Sequence, residues 1–126
     1  MSTKKKVILL IDDSDETLDI LEICLYKKYD VITAQNGFDG LNKALKYMPD
    51  LIITDIMMPF MDGIKFFNRL RKNKDMANIP VIAVTSFVKK MSTKSLINIG
   101  FKDVLSKPIN MDSILDTVTN ILSPQS

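Results

Sequence analysis

Five short apolar runs rich in β-branched residues alternate with stretches of helical periodicity along this chain. Val7-Ile8-Leu9-Leu10-Ile11 is the first run, and a helical pattern follows from about Ser14 to Lys28 with Leu18, Leu21 and Leu25 on one face. Asp30 to Ala34 reads as a second strand, closed by the turn pair Asn36-Gly37. The next helix carries Leu41, Ala44, Leu45 and Met48 at i, i+3, i+4 and i+7, a stripe expected to face a core. Leu51 to Thr54 is the third strand, and Gly63 to Lys72 is helical with Ile64, Phe67 and Leu70 inward. Pro80 opens a fourth strand, Val81 to Thr85, at the strand start where proline is tolerated. Lys89 to Asn98 is the least regular helix, Val104-Leu105 a brief fifth strand, and Met111 to Leu122 the last helix. Ile114, Leu115, Val118, Ile121 and Leu122 form its inner face. Strands alternating with helices read as β-α units, whose helical crossovers suit parallel pairing. The expectation is an α/β fold, a parallel sheet covered by helices on both faces.

Composition narrows the function classes. At 126 residues the chain is read as one domain over 1–126, with residues 1–5 and 123–126 flexible. Net charge is +2, too mild to argue for nucleic acid, and Lys4-Lys5-Lys6 reads as a solvated tail. The single Cys24 excludes an internal disulfide and a multi-cysteine metal site, and is expected to be a buried structural thiol. Histidine is absent, which removes a Ser-His-Asp triad, a Cys-His pair and any His-ligated zinc. No apolar run reaches membrane-spanning length and no signal-peptide core opens the chain, so a cytoplasmic location without membrane insertion is expected.

Polar groups end four of the apolar runs: Asp12-Asp13, Asp55, Thr85 and Lys107. In an open α/β sheet the carboxyl ends of the strands form the ligand crevice. Each residue has a bland rival. Asp13-x-x-Glu16 has the form of a capping box, Asp55 suits a turn, Thr85 is an ordinary strand-end hydroxyl and Lys107 a solvated charge. All four at strand ends, in this order, exceed what turn chemistry explains. Three carboxylates gathered at one edge repel unless a cation neutralises them. Hard oxygen ligands suit Mg²⁺, which keeps waters and leaves room for a phosphate. The pattern points to phosphoryl chemistry on Asp55.

The ordered segments Ile11-Asp12-Asp13, Ala34-Gln35-Asn36-Gly37, Pro49 through Pro59 around Asp55, Met61-Asp62-Gly63, Ile79-Pro80-Val81-Ile82, Val84-Thr85 and Lys107-Pro108 resemble the receiver domain of two-component response regulators. The likeness covers nearly the whole chain and is to the stand-alone, single-domain type. It implies a flavodoxin-like, doubly wound five-stranded sheet of order 2-1-3-4-5 with five helices. It implies that Asp55 accepts a phosphoryl group from phosphohistidine on a sensor histidine kinase or histidine phosphotransfer protein. Asp13, Asp55 and the backbone carbonyl of Met57 would ligate Mg²⁺, with Asp12 acting mainly through water. Thr85 would hydrogen-bond the phosphoryl group, and Lys107 would pair with Asp55 and then with that group. A cis Lys107–Pro108 bond is expected on the same ground. The product would be a switched surface for a downstream protein target, spanning Phe87 to Pro108 and above all the Lys89–Asn98 helix. No catalysis beyond its own phosphoryl transfer and dephosphorylation is expected.

The chain departs from the family pattern in three ways. Val104 stands three residues before Lys107 where many receivers carry Tyr or Phe, with Phe101 nearby. Met57 and Phe87, two residues beyond Asp55 and Thr85, are apolar, which favours a long-lived phosphorylated form. The last helix lacks the Arg of receivers that dimerise through their fourth and fifth helices, so a monomer is expected. Three rivals stand beside this reading. A phosphorylation-independent interaction module conflicts with the intact Asp, Thr and Lys positions. An Asp-nucleophile phosphatase would need an acid two residues beyond Asp55, where Met57 stands. Nucleotide or flavin binding lacks a phosphate-cradling glycine loop.

Overall fold

A computed structural model describes residues 4–86 and 93–123. The strands are β1 (Val7–Ile11), β2 (Asp30–Ala34), β3 (Leu51–Asp55), β4 (Val81–Ser86) and β5 (Asp103–Lys107). Between and after them lie α1 (Asp15–Leu25), α2 (Gly37–Tyr47), α3 (Gly63–Lys72), α4 (Thr93–Ile99) and α5 (Met111–Leu122). All four strand pairings are parallel and the order is β2-β1-β3-β4-β5, the order expected.

Side-chain alternation along the strands builds two cores. Leu9, Ile11, Ile52, Val81 and Ala83 meet Ala44, Phe66, Phe67, Leu70 and Leu96 on the α2–α3–α4 face. Ile8, Leu10, Leu51, Ile53, Ile82 and Val84 meet Leu18, Leu21, Leu25, Ile114 and Val118 on the α1–α5 face. A central strand buried on both sides needs apolar residues at every position, which is why β3 reads as an unbroken run. Cys24 is half-buried against the second core, and burial pushes its thiol pKa up, the mark of an unreactive cysteine. No helix among the described residues is long and apolar enough to cross a membrane.

Local chemistry corrects several boundaries. Ser14, not Asp13, caps α1: its hydroxyl accepts from the Thr17 amide, and the helix ends at Leu25 rather than Lys28. Asn36 caps α2 through the Asp39 amide instead of closing a turn. On α3 the buried aromatic pair is Phe66 and Phe67, while Ile64 is only half-buried. Strand β5 runs longer than Val104-Leu105, and α4 begins at Thr93, residues 87–92 lying outside the described part.

The largest departure concerns α2. Its buried residues are Gly37, Gly40 and Ala44, while Leu45 and Met48 are exposed. The helix lies so near the sheet that a Cβ on Gly40 would stand 2.5 Å from Ile11 Cδ1. Small residues therefore take the inner face and the large ones turn away.

Candidate functional site

Strand register assembles the site. Ile11 pairs with Thr54, so the next residues, Asp12 and Asp55, leave the sheet side by side. Asp55 pairs with Val84, and Thr85 with Ser106, which brings Thr85 and Lys107 to the same edge. Asp12 and Asp55 are 1% and 6% exposed, Thr85 is buried, and Asp13 faces solvent. Carboxylate oxygens of Asp12, Asp13 and Asp55 lie within 4.8 Å of one another. All the residues expected at the site are thus brought to one edge.

Lys107 Nζ stands 3.1 Å from Asp12 Oδ2 and 3.2 Å from Asp55 Oδ2. The contact with Asp12 goes beyond the pairing expected from the sequence. It follows from the β1–β3 register, which no local motif in the chain encodes. The remaining oxygens are also engaged. Asp12 Oδ1 accepts from the Ser14 amide at 2.9 Å, and Asp55 Oδ1 from the Met57 amide at 3.3 Å. Because Ser14 supplies the helix cap, the Asp13 carboxylate is left for other work.

The loop after β3 is held by close backbone contact. The Gly63 amide donates to Ile56 O at 2.8 Å, and Asp62 caps α3 through the Lys65 amide. A Cβ on Gly63 would meet the Asp55 carbonyl oxygen at 2.4 Å. Opposite, the Lys107–Pro108 bond is cis, as expected. Thr85 Oγ1 donates only a long 3.4 Å bond to Ser86 O, so its hydroxyl is weakly held.

Burial pushes the Asp12 carboxyl above the usual range; the Ser14 amide opposes this, the Asp55 charge adds to it, and Lys107 opposes it. Burial pulls Lys107 down, but its bond to Asp12 and the charges of Asp55 and Asp12 hold it above its ordinary value. With all three carboxylates ionised, one ammonium leaves the cluster two charges short of neutrality. The donors are hard oxygens, and one carboxylate opens to solvent, a set that fits a small divalent cation such as Mg²⁺.

Phe101 does not stand in for an aromatic at Val104. It is 2% exposed, with its ring centroid 4.5 Å from that of Phe67, deep in the core. Val104 is half-buried against the same core, and Met57 is exposed beside Asp55. Phe87 lies outside the described residues.

Residues 8–119 match the response regulator receiver domain family. The chain is 28% identical over 118 residues to the polar-differentiation response regulator DivK of Brucella anthropi, covering 93% of this chain and 96% of DivK. It is 31% identical over 119 residues to hybrid signal transduction histidine kinase D of Dictyostelium discoideum, covering 94% of this chain but only 8% of that protein. The structure superposes on the chemotaxis response regulator CheY4 of Vibrio cholerae with a TM-score of 0.86 at 28% identity, covering 94% of this chain and 100% of CheY4. Sequence match, strand order and fold agree, and the chain belongs to the response regulator receiver domains of two-component signalling.

Proposed function

We propose that Asp55 is a phosphoacceptor, taking a phosphoryl group from a phosphohistidine in a Mg²⁺-dependent reaction. The observation that carries this reading is the Lys107 ammonium bridging Asp12 and Asp55 beside a third carboxylate. A structural ion pair needs one acid, and the two further carboxylates leave negative charge that a bound cation and a phosphoryl group would draw on.

In the transfer, an Asp55 carboxylate oxygen bonds to phosphorus as the phosphorus–nitrogen bond of the donor breaks and its imidazole leaves. The product is an acyl phosphate. Lys107, already 3.2 Å from Asp55, follows the negative charge onto the phosphoryl oxygens. The weakly held Thr85 hydroxyl is free to turn and donate to one of them. Asp12, Asp13, Asp55 and the Met57 carbonyl are the residues that would hold Mg²⁺, Asp12 mainly through water. The ion, when bound, would neutralise charge on the carboxylates and the transferring group. Moving Thr85 would alter the chain that follows it and the output segment, of which α4 buries only Leu96. The part of that segment in residues 87–92 lies outside the described structure. Partners follow by chemistry: a histidine kinase or phosphotransfer protein as donor, and a protein target as reader.

Incubation with acetyl phosphate and Mg²⁺ followed by intact mass tests the assignment. One phosphate is expected on the wild type and none on Asp55→Asn. Equal phosphate gain by both proteins would defeat it.

A further inference from the structure

Charge is sorted between the two edges of the sheet. Asp12, Asp13 and Asp55 leave the carboxyl ends of β1 and β3. At the opposite edge the chain enters its strands through lysines. Lys4, Lys5 and Lys6 lead into β1, and Lys27 and Lys28 lead from α1 toward β2. Backbone bonds gather these entries: the Asp30 amide donates to Lys6 O at 3.0 Å, and the Asp50 amide to Val7 O at 2.8 Å. Strand β1 lies between β2 and β3, so the three strand starts span about 10 Å, two strand spacings. Lys5 also reaches the Tyr26 carbonyl at the end of α1, at 3.3 Å. Lys46 adds an ammonium in the last turn of α2, and all these lysines are exposed. The acids among them are Asp30 and Asp50, and Asp50 Oδ2 already accepts from the Val7 amide at 2.8 Å.

The same end displays apolar side chains that the core does not use. Met48 ends α2 in the left-handed region, at φ 44°, where glycine is the usual residue. Its side chain is 43% exposed, so burial recovers little of the backbone strain. Lys46 Nζ stands over the exposed Tyr47 ring, 5.2 Å from its centroid, and Tyr26 is exposed at the end of α1. The carboxyl-terminal dipoles of α1 and α2 account for lysines close to the helix ends. They do not account for Lys4-Lys5-Lys6, nor for a methionine held outward on strained backbone.

We propose that this lysine-rich end is a peripheral docking surface for an anionic membrane. Ammonium groups on long flexible stems suit a diffuse field of lipid phosphates, with Met48 and the tyrosine rings at headgroup depth. Cations and apolar side chains together supply the two signals that a stable surface anchor needs. Nucleic acid fits less well. Recognition of bases and of single phosphates favours the planar arginine fork, and the entries to β1, β2 and β3 hold no arginine. Met48 has no ring to stack on a base. Docked this way, the five residues of β3 carry Asp55 to the other edge, about 16 Å away, where it faces from the lipid toward a phosphodonor. The inference goes beyond phosphoryl transfer and needs neither phosphate nor Mg²⁺.

The test uses the full, unphosphorylated chain with vesicles of phosphatidylglycerol or of phosphatidylcholine, read by co-sedimentation at low ionic strength. Phosphatidylglycerol should bind at least roughly tenfold tighter, and added salt should weaken it. Lys27→Glu combined with Lys28→Glu should weaken that binding by at least roughly tenfold, with circular dichroism unchanged. Lys65→Glu changes charge in the first turn of α3, near the other edge, and should bind as the wild type does. Met48→Gly relieves the left-handed strain, so it should melt higher than the wild type yet bind roughly threefold more weakly. A cap with only a structural role would raise the melting temperature and leave binding unmoved. Equal binding to the two lipids, full binding by the double lysine variant, or full binding by Met48→Gly would overturn the proposal. So would self-association, or binding to poly(U) RNA tighter than to the vesicles, that the double variant abolishes, since each would assign this end to another partner.

Discussion

Lys107 is the residue on which the charge balance of the site rests. It is the only cation paired with Asp12 and Asp55 among the described residues. Its pKa is raised, so its contribution is complete below about 10.5 and is lost only as pH climbs through the still higher folded value. Lys107→Met should cost about 2 kcal/mol at pH 8, less than a fully buried pair because its side chain is 23% exposed. Asp12 then has no cation and its carboxyl rises further. The loss should shrink as pH falls through that raised value and below 3.8, where folded and unfolded forms are both protonated. Urea unfolding at several pH values checks this; a penalty independent of pH would speak against it. Met57 carries a second expectation. It is exposed next to Asp55 and offers no side-chain hydrogen bond to an attacking water. Met57→Asn should speed loss of phosphate roughly tenfold, the effect of lowering the barrier by about 1.4 kcal/mol. The decay rate at fixed Mg²⁺ measures it.

The elements matter through how closely their ends approach the site. Helix α3 starts directly over the end of β3, with the Gly63 amide on Ile56 O. Any β-carbon at Gly63 would collide with the Asp55 carbonyl and, at 2.9 Å, with the Ile56 α-carbon. These are backbone atoms, which cannot swing aside as a side-chain tip can. Gly63→Ala should therefore destabilise by about 2–3 kcal/mol, as overpacking does, and also slow phosphorylation by shifting Asp55. Thermal melts and acetyl phosphate kinetics together separate the two effects. A stable variant with the wild-type rate would show that α3 does not set the position of Asp55.

For the molecule as a whole, the cluster of three carboxylates is a source of instability that a bound cation would relieve. Mg²⁺ at about a hundred times its Kd should stabilise the fold by about 2.7 kcal/mol. Asp13→Ala should abolish this gain more completely than Asp12→Ala, because direct ligation outweighs a water bridge. Melting temperature against Mg²⁺ concentration reads both. Equal losses in the two variants would remove the distinction.

Periodicity and strand ends were legible in the chain because they are local. A run of β-branched residues must be buried, and a polar residue that ends it must meet solvent, wherever the strand lies in the sheet. The alternation of elements, the placement of Asp12, Asp13, Asp55, Thr85 and Lys107, and the parallel sheet all follow from this. What the tertiary structure alone decided depends on neighbours. Lys107 reaches Asp12 because β1 pairs with β3 in one register. The stripe on α2 announced an apolar face but not its direction. Sheet and α3 crowd in so closely at Gly40 that only small side chains fit beneath, and the bulk of Phe38 and Leu45 is driven outward.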